Sequence, residues 1–389
     1  MKTISRLFLL LAVLVASAAC EEGTTDDFGS IKVPDLVVTF DKSVIKASGS
    51  DVVTFKAFYK GTDVTSQTTF LLSRDGNFSP GKYEVCLSSF STDKIGTYYF
   101  KAGYNAGESD ILSISAIARD IPAAAVDKQA GNTSFVRRTF FNQHTGTQCP
   151  NCPFMTYLIR KTLTDEVKDK VVFASVRNYS GETGFANIQN PASSWPYLHI
   201  DYSSTYPYNG TAEGLQAKIN EWTSAPAKVG ISANPVFYED GQIIVKVTVK
   251  AAETDEYNVG LWLMQDNFYK KQLVDNSRLG LLEGTWGDSY HYHDNCVRVA
   301  ESKYLGSHVG YPLGKIEAGK TAEWIFLVNV NLGTEAYSYT DRWWDGKEGG
   351  INLNDLHFAA FVTTHKGTKY TVVNAIDFKY NESKSFEYK

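Results

Sequence analysis

Two cysteines three positions apart, Cys149 and Cys152, are the residues of this 389-residue chain best suited to chemistry. A Cys-x-x-Cys pair can close a disulfide, exchange that disulfide with another thiol, or supply half of a zinc site. Here the run is His144-Thr145-Gly146-Thr147-Gln148-Cys149-Pro150-Asn151-Cys152-Pro153. Exchange needs a sulfur that ionises easily. A helix N-terminus provides this, because its unpaired N–H groups favour thiolate over thiol. Pro150 and Pro153 both suit the first turn of a helix that begins at the cysteines, where a missing N–H costs nothing. Cys149 is then the attacking sulfur, and Cys152 lies one turn on to resolve the mixed disulfide. His144 could act as a base beside the pair, or be an ordinary hydrogen-bonded residue at a strand end.

The zinc alternative needs about four ligands, and the chain has no second Cys-x-x-Cys. His291-x-His293-x-x-Cys296 has ligand spacing, but such a cluster arises easily by chance in an aromatic, loop-rich stretch. Cys86 reads as a small hydrophobe in a strand. It could pair with Cys296 only if the fold met strict disulfide geometry. No cofactor and no metal is implied.

The elements around the pair follow from hydrophobic period. Residues 135–141 read as a strand before the cysteines. After them Met155, Ile159, Leu163 and Val167 recur at helical spacing. Residues 171–176 read as a buried strand, and residues 197–202 as another, directly after Trp195-Pro196. Thr211 can cap a helix carrying Leu215, Ile219 and Trp222. This strand–helix–strand–strand–helix order predicts an α/β unit. On either side the period is two. Val53, Phe55, Ala57 and Tyr59 alternate before it, as do Tyr98, Phe100 and Ala102. After it come Val245, Val247 and Val249, then Val259, Leu261 and Leu263, then Trp324, Phe326, Val328 and Val330. Residues 358–363 and 370–375 complete a β-sandwich with a long insert at 272–310.

The first twenty residues are an address. Lys2 and Arg6 precede an apolar stretch at 7–15, and Ser17-Ala18-Ala19 precedes Cys20. This is a secretory signal. It resembles a bacterial lipoprotein signal, which implies lipidation of Cys20 and attachment to a membrane. Ser17 stands where such signals usually carry Leu, and ordinary cleavage at small residues is the alternative. Residues 21–30 are acidic and poor in apolar side chains, a flexible tether. Acidic residues after the cysteine resemble the export tag of surface-displayed lipoproteins. The net charge of −5 and the absence of a basic run give no reason to expect nucleic acid. With 23 Tyr and 22 Phe, the composition is globular and leans toward strands.

Three resemblances refine this. Lys46-Ala47-Ser48-Gly49-Ser50-Asp51, Gly61-Thr62-Asp63-Val64-Thr65 and Gly96-Thr97-Tyr98 are similar to bacterial immunoglobulin-like modules. The cysteine pair, the strand 19 residues beyond Cys152 and the proline 44 beyond it resemble a thioredoxin fold. That resemblance implies a cis Pro196 facing the pair and limiting what approaches Cys149, a catalytic triplet of Cys149, Cys152 and Pro196. Gln148 replaces the usual Trp, and Gln143 replaces the usual buried acid, so proton handling is missing from the pattern. Thr145-Gly146-Thr147-Gln148-Cys149-Pro150-Asn151-Cys152-Pro153, with His293-Asp294-Asn295, is similar to the outer-membrane-protein-twenty-eight-related family of bacterial envelope lipoproteins. That family implies an outer-membrane address and no assigned chemistry.

The expected organisation is a signal peptide at 1–20, a tether at 21–30 and an immunoglobulin-like β-sandwich at 31–118. A linker follows at 119–133, then a thioredoxin-like domain at 134–226 and a C-terminal β-sandwich at 227–389. The fold class is therefore multidomain, α/β plus all-β. The expected function is thiol–disulfide exchange on disulfide-bearing envelope or extracellular clients. The alternative is a non-enzymatic binding or adhesion lipoprotein with a structural disulfide, its aromatic Trp343-Trp344 loop contacting a glycan or protein. A plain outer-membrane spacer is the third reading.

Overall fold

The computed structural model describes residues 33–179, 182, 185–192, 194–282, 287–330 and 352–389. The signal, Cys20, the tether and the Trp343-Trp344 loop lie outside these residues. Two compact units form, one built on Ile31–Asp120 and the other on Ile121–His365 with Tyr370–Lys389.

The first unit is two sheets over one core. One sheet joins β1 (Leu36–Phe40), β3 (Val53–Tyr59), β4 (Thr62–Asp63) and β7 (Ser89–Phe90). The other joins β2 (Val44–Lys46), β10 (Leu112–Ile117), β8 (Gly96–Tyr104), β5 (Thr69–Ser73) and β6 (Glu84–Cys86), with β9 (Gly107–Glu108) on β8. Alternation decides which residues point in. Val53, Phe55 and Ala57 are buried while Thr54 and Lys56 are exposed. Phe55 meets Phe100 from the facing sheet with ring centroids 4.7 Å apart. Cys86 lies on strand β6 at the end of its sheet, and it is half-buried rather than enclosed.

The second unit is organised by a nine-stranded sheet. Its path is β14 (Ser204–Tyr206), β13 (Tyr197–Ile200), β11 (Thr139–Thr145), β12 (Val171–Arg177), β20 (Cys296–Glu301), β17 (Asp255–Gln265), β23 (Leu356–Lys366) and β24 (Lys369–Lys379), with β21 (Tyr311–Ile316) also on β17. A three-stranded sheet of β15 (Val229–Phe237), β16 (Gln242–Ala251) and β22 (Thr321–Asn329) accompanies it. A short hairpin pairs β18 (Phe268–Tyr269) with β19 (Tyr292–His293). The helices are α1 (Cys152–Thr162) and α2 (Ala212–Trp222).

Neighbouring residues on β11 show how the sheet is covered. Phe141 joins Met155, Ile159, Leu198, Leu215 and Ile219 in the core under the helices. Phe140, one residue earlier, points to the opposite face and packs with Trp262 and Phe361 at centroid distances of 5.2 and 5.0 Å. Residues 127–130 are held against this unit by the buried Lys250 ammonium, 2.9 Å from Asp127 and 2.6 Å from the Ala130 carbonyl.

This architecture corrects the expected fold class. An α/β, thioredoxin-like centre between two β-sandwiches was expected. The described residues instead form 24 strands and two α-helices, and the class that fits is all-β. The physical reason is sheet continuity. β12 pairs in parallel with β20 at Ser175 and Cys296, β20 pairs with β17, and β17 with β23. The strands beside the cysteines are therefore part of a larger β-sheet and not a separate α/β layer. Helix α1 is also shorter than the spacing suggested. It ends at Thr162, so Leu163 caps it and Val167 reaches the core from the following loop.

Candidate functional site

Cys149 and Cys152 are joined by a disulfide at the point where β11 has ended and α1 begins. The helix starts at Cys152 with Asn151 as its N-cap and Pro153 in the first turn. Pro150 stands two residues before the helix, not in the first turn that the sequence suggested. Cys149 lies in a turn, its N–H donating to the Gly146 carbonyl at 3.2 Å. Gly146 is required there, because a Cβ would come within 2.5 Å of the Tyr179 side chain.

The pair is closed to solvent. Cys149 is 2% exposed and Cys152 0%. Over residues 146–151 runs the start of the 272–310 insert, which the sequence did not connect to the cysteines, beginning at Gln272. The Gln272 side-chain amide lies 3.2, 3.0 and 3.1 Å from the carbonyls of Gly146, Thr147 and Cys149. Its two hydrogens are shared among these acceptors and the Leu273 carbonyl at 2.9 Å. The Leu273 N–H donates to Thr147 O at 2.8 Å, and the Asp275 N–H to Pro150 O at 3.0 Å. Arg278 donates to Asn151 Oδ1 at 3.2 Å and lies 4.1 Å from the Phe154 ring centroid. No motif announces such contacts, because backbone carbonyls look alike in any sequence.

Beneath the pair is a buried ionic group, also unforeseen. Glu182 accepts from the Thr147 N–H and hydroxyl, and pairs with Arg177 Nε at 2.8 Å. Cys296 sits beside Arg177. Burial pushes its thiol up to about 12 against the pull of Arg177 and Arg298, so it is a protonated, unreactive cysteine. Cys86 and Cys296 are both free, and no disulfide links them.

Gln143, at the position where an acid was missing, and His144 beside it are both buried and hydrogen-bonded to neighbours. His144 is fully buried, takes part in a 3.1 Å contact with Asn178 Nδ2, and is pushed down to about 3 by burial, with the charge of His199 adding to the effect. It is neutral at physiological pH. Gln143 donates to Thr156 Oγ1 at 2.9 Å. Pro196 follows a cis peptide bond and directly precedes β13, whose first residue Tyr197 pairs with His144, so Pro196 lies at the end of the sheet from which the cysteine turn emerges.

The His291, His293 and Cys296 cluster is not gathered around a common point. His291 Nδ1 accepts from the Gln272 N–H at 2.9 Å, His293 Nε2 lies 3.0 Å from the Lys270 carbonyl, and Cys296 faces Arg177. Among the described residues no group of three or more ligands could hold a metal. His293-Asp294-Asn295 is instead a knot between elements. Asp294 pairs with Arg160 of α1 at 2.6 Å, and Asn295 donates to Asp266 while accepting from Ser175 of β12.

With this geometry in place, likeness to known proteins can be stated. No protein-family model and no curated protein matches the chain. Among solved structures, HBP35 of Porphyromonas gingivalis is similar with a TM-score of 0.46 at 14% identity, over 65% of this chain and 78% of that one. A domain of the outer membrane lipoprotein Omp28 from Porphyromonas gingivalis gives a TM-score of 0.22 at 16% identity, over 40% and 89%. Three N-terminal domains of the outer capsid protein Hoc of bacteriophage RB49 give 0.14 at 8% identity, over 92% and 100%.

Proposed function

We propose that this chain is an exported lipoprotein of the bacterial outer membrane, anchored through Cys20, that exchanges thiols and disulfides with client proteins through Cys149 and Cys152. The observation that carries the chemistry is the disulfide itself, set in the turn that leads into α1. After reduction, the Cys149 sulfur is left near the N-terminal end of α1, where the helix dipole favours its thiolate. The envelope address rests on the leader ending at Ser17-Ala18-Ala19-Cys20 and the acidic tether after it.

The step is balanced within the pair. A client thiolate attacks the Cys149 sulfur, the Cys149–Cys152 bond breaks, and Cys152 leaves with the electron pair and takes a proton. A second client thiolate attacks the client sulfur of the mixed disulfide and expels Cys149, which is protonated in turn. The client loses two electrons and two protons, and the pair gains them. Run backwards from the dithiol, the same steps reduce a client.

A second reading is favoured by one specific observation. Cys149 is nearly inaccessible, as expected for a permanent clamp in a binding lipoprotein. Trapping separates the two. A Cys152→Ser variant expressed in the native envelope should hold clients as mixed disulfides on Cys149, seen as reductant-sensitive adducts in the membrane fraction and identified by mass spectrometry. A membrane fraction carrying the variant with no adducts would favour the clamp.

A further inference from the structure

We infer that residues 272–278 form a strap that gates the Cys149–Cys152 disulfide, so that the sulfur of Cys149 is reached only when this segment lifts. The inference rests on the exchange reading above and adds its regulation. Every tie between the strap and the cysteine turn goes to residues 146–151: the Gln272 amide to three carbonyls, Leu273 N–H to Thr147, Asp275 N–H to Pro150, and Arg278 to Asn151. These ties are polar and local, and beyond them the strap rests its Arg278 guanidinium on the Phe154 and Tyr208 rings, 4.1 and 5.3 Å from their centroids. The strap contributes no strand to either sheet, and Leu273 is 41% exposed instead of locked in a core. A segment held in this manner opens without unfolding the sheet beneath it. Its N-terminal end is tethered by the Gln272 N–H to His291 Nδ1 at 2.9 Å, which gives the motion a fixed end. Below the turn, Glu182 holds Thr147 in place, so lifting the strap leaves the cysteine turn where it is.

The test reads accessibility directly. Purified full-length protein is reduced with dithiothreitol, and new thiols are counted by alkylation and intact mass. Removing the amide clasp with Gln272→Ala, or the arginine tie with Arg278→Ala, should speed reduction by roughly tenfold each, the effect of losing one or two net hydrogen bonds. His357→Gln, which weakens the sheet elsewhere, serves as the control for general loosening and should leave the rate within about twofold. Equal rates in wild type and both strap variants would overturn the gate, as would an equal acceleration by the control. Wild-type hydrogen exchange gives a reading that needs no variant. The Leu273 and Asp275 amides should exchange much faster than those of β17, and protection matching β17 would also overturn the proposal. Failure of the exchange reading looks different: the strap variants reduce faster, yet Cys152→Ser traps no client.

Discussion

Glu182 shows how one side chain can fix the cysteine turn through Thr147. Its carboxylate takes both the N–H and hydroxyl of Thr147, two residues before Cys149, and balances the buried Arg177 guanidinium. Both side chains are essentially inaccessible, so their desolvation is offset only while the pair is intact. Glu182→Gln keeps the shape but leaves Arg177 charged and unbalanced in the interior. The expected cost is about 3 kcal/mol of unfolding free energy, read as a lower midpoint in guanidinium denaturation. A loss below about 1 kcal/mol would mean that water reaches Arg177. The same logic governs His144 and Gln143. Both are buried and tied to neighbours, and burial keeps His144 neutral near neutral pH.

Strands and helices were legible in the sequence wherever one face is buried. The period-two runs at Val53, Val245 and Val259 all became strands, and Thr211 caps α2 by accepting from the Gly214 N–H at 3.1 Å. What sequence pattern could not carry is which strands adjoin. The β12–β20 pairing joins Ser175 to Cys296, and the residues between them include the whole three-stranded sheet's β15 and β16. Alternation fixes faces, not neighbours. Likewise the cysteine turn was legible from two prolines and two cysteines, while the Gln272 clasp was invisible because its acceptors are main-chain oxygens.

A second stitch works at the far end of this sheet. His357 on β23 lies 2.7 Å from Asp377 of β24 and 3.4 Å from Asp266 just beyond β17. Burial alone would push its pKa down, but the hydrogen bonds and charges of Asp266 and Asp377 raise it from 6.5 to about 10. The imidazolium form belongs to the folded state. Its stabilisation is therefore fully present below pH 6.5 and is lost as pH rises toward 10. His357→Gln should cost roughly 2–3 kcal/mol at pH 6, and the gap from wild type should close by pH 10. Urea titrations of both proteins at the two pH values give the comparison, and a gap that persists unchanged at pH 10 would rule out the charged stitch.

The two units differ in how separable their parts are. Among the described residues, the unit built on Ile31–Asp120 closes two sheets over a core of its own residues, including Phe55, Phe70, Tyr98 and Phe100. In the other unit the β-rich C-terminal stretch is completed by residues that precede it. Phe140 fills the space against Trp262 and Phe361, and β12 covers the edge of β20. Arg138 pairs with Glu387 at 2.6 Å, and Asn374 Nδ2 donates to the Val136 carbonyl at 3.0 Å, tying the chain end back to the entry of β11. A fragment of residues 227–389 would thus expose a row of buried aromatics and an unpaired strand edge, both routes to aggregation. A fragment of residues 31–120 loses nothing of its core. Expressed separately, the shorter fragment should melt cooperatively with dispersed amide resonances. The 227–389 fragment should bind the dye ANS and lack a sharp transition, and adding back residues 121–226 should restore one. Cooperative melting of 227–389 by itself would show that the nine-stranded sheet is an association of two independent folds rather than one structure that neither half can form alone.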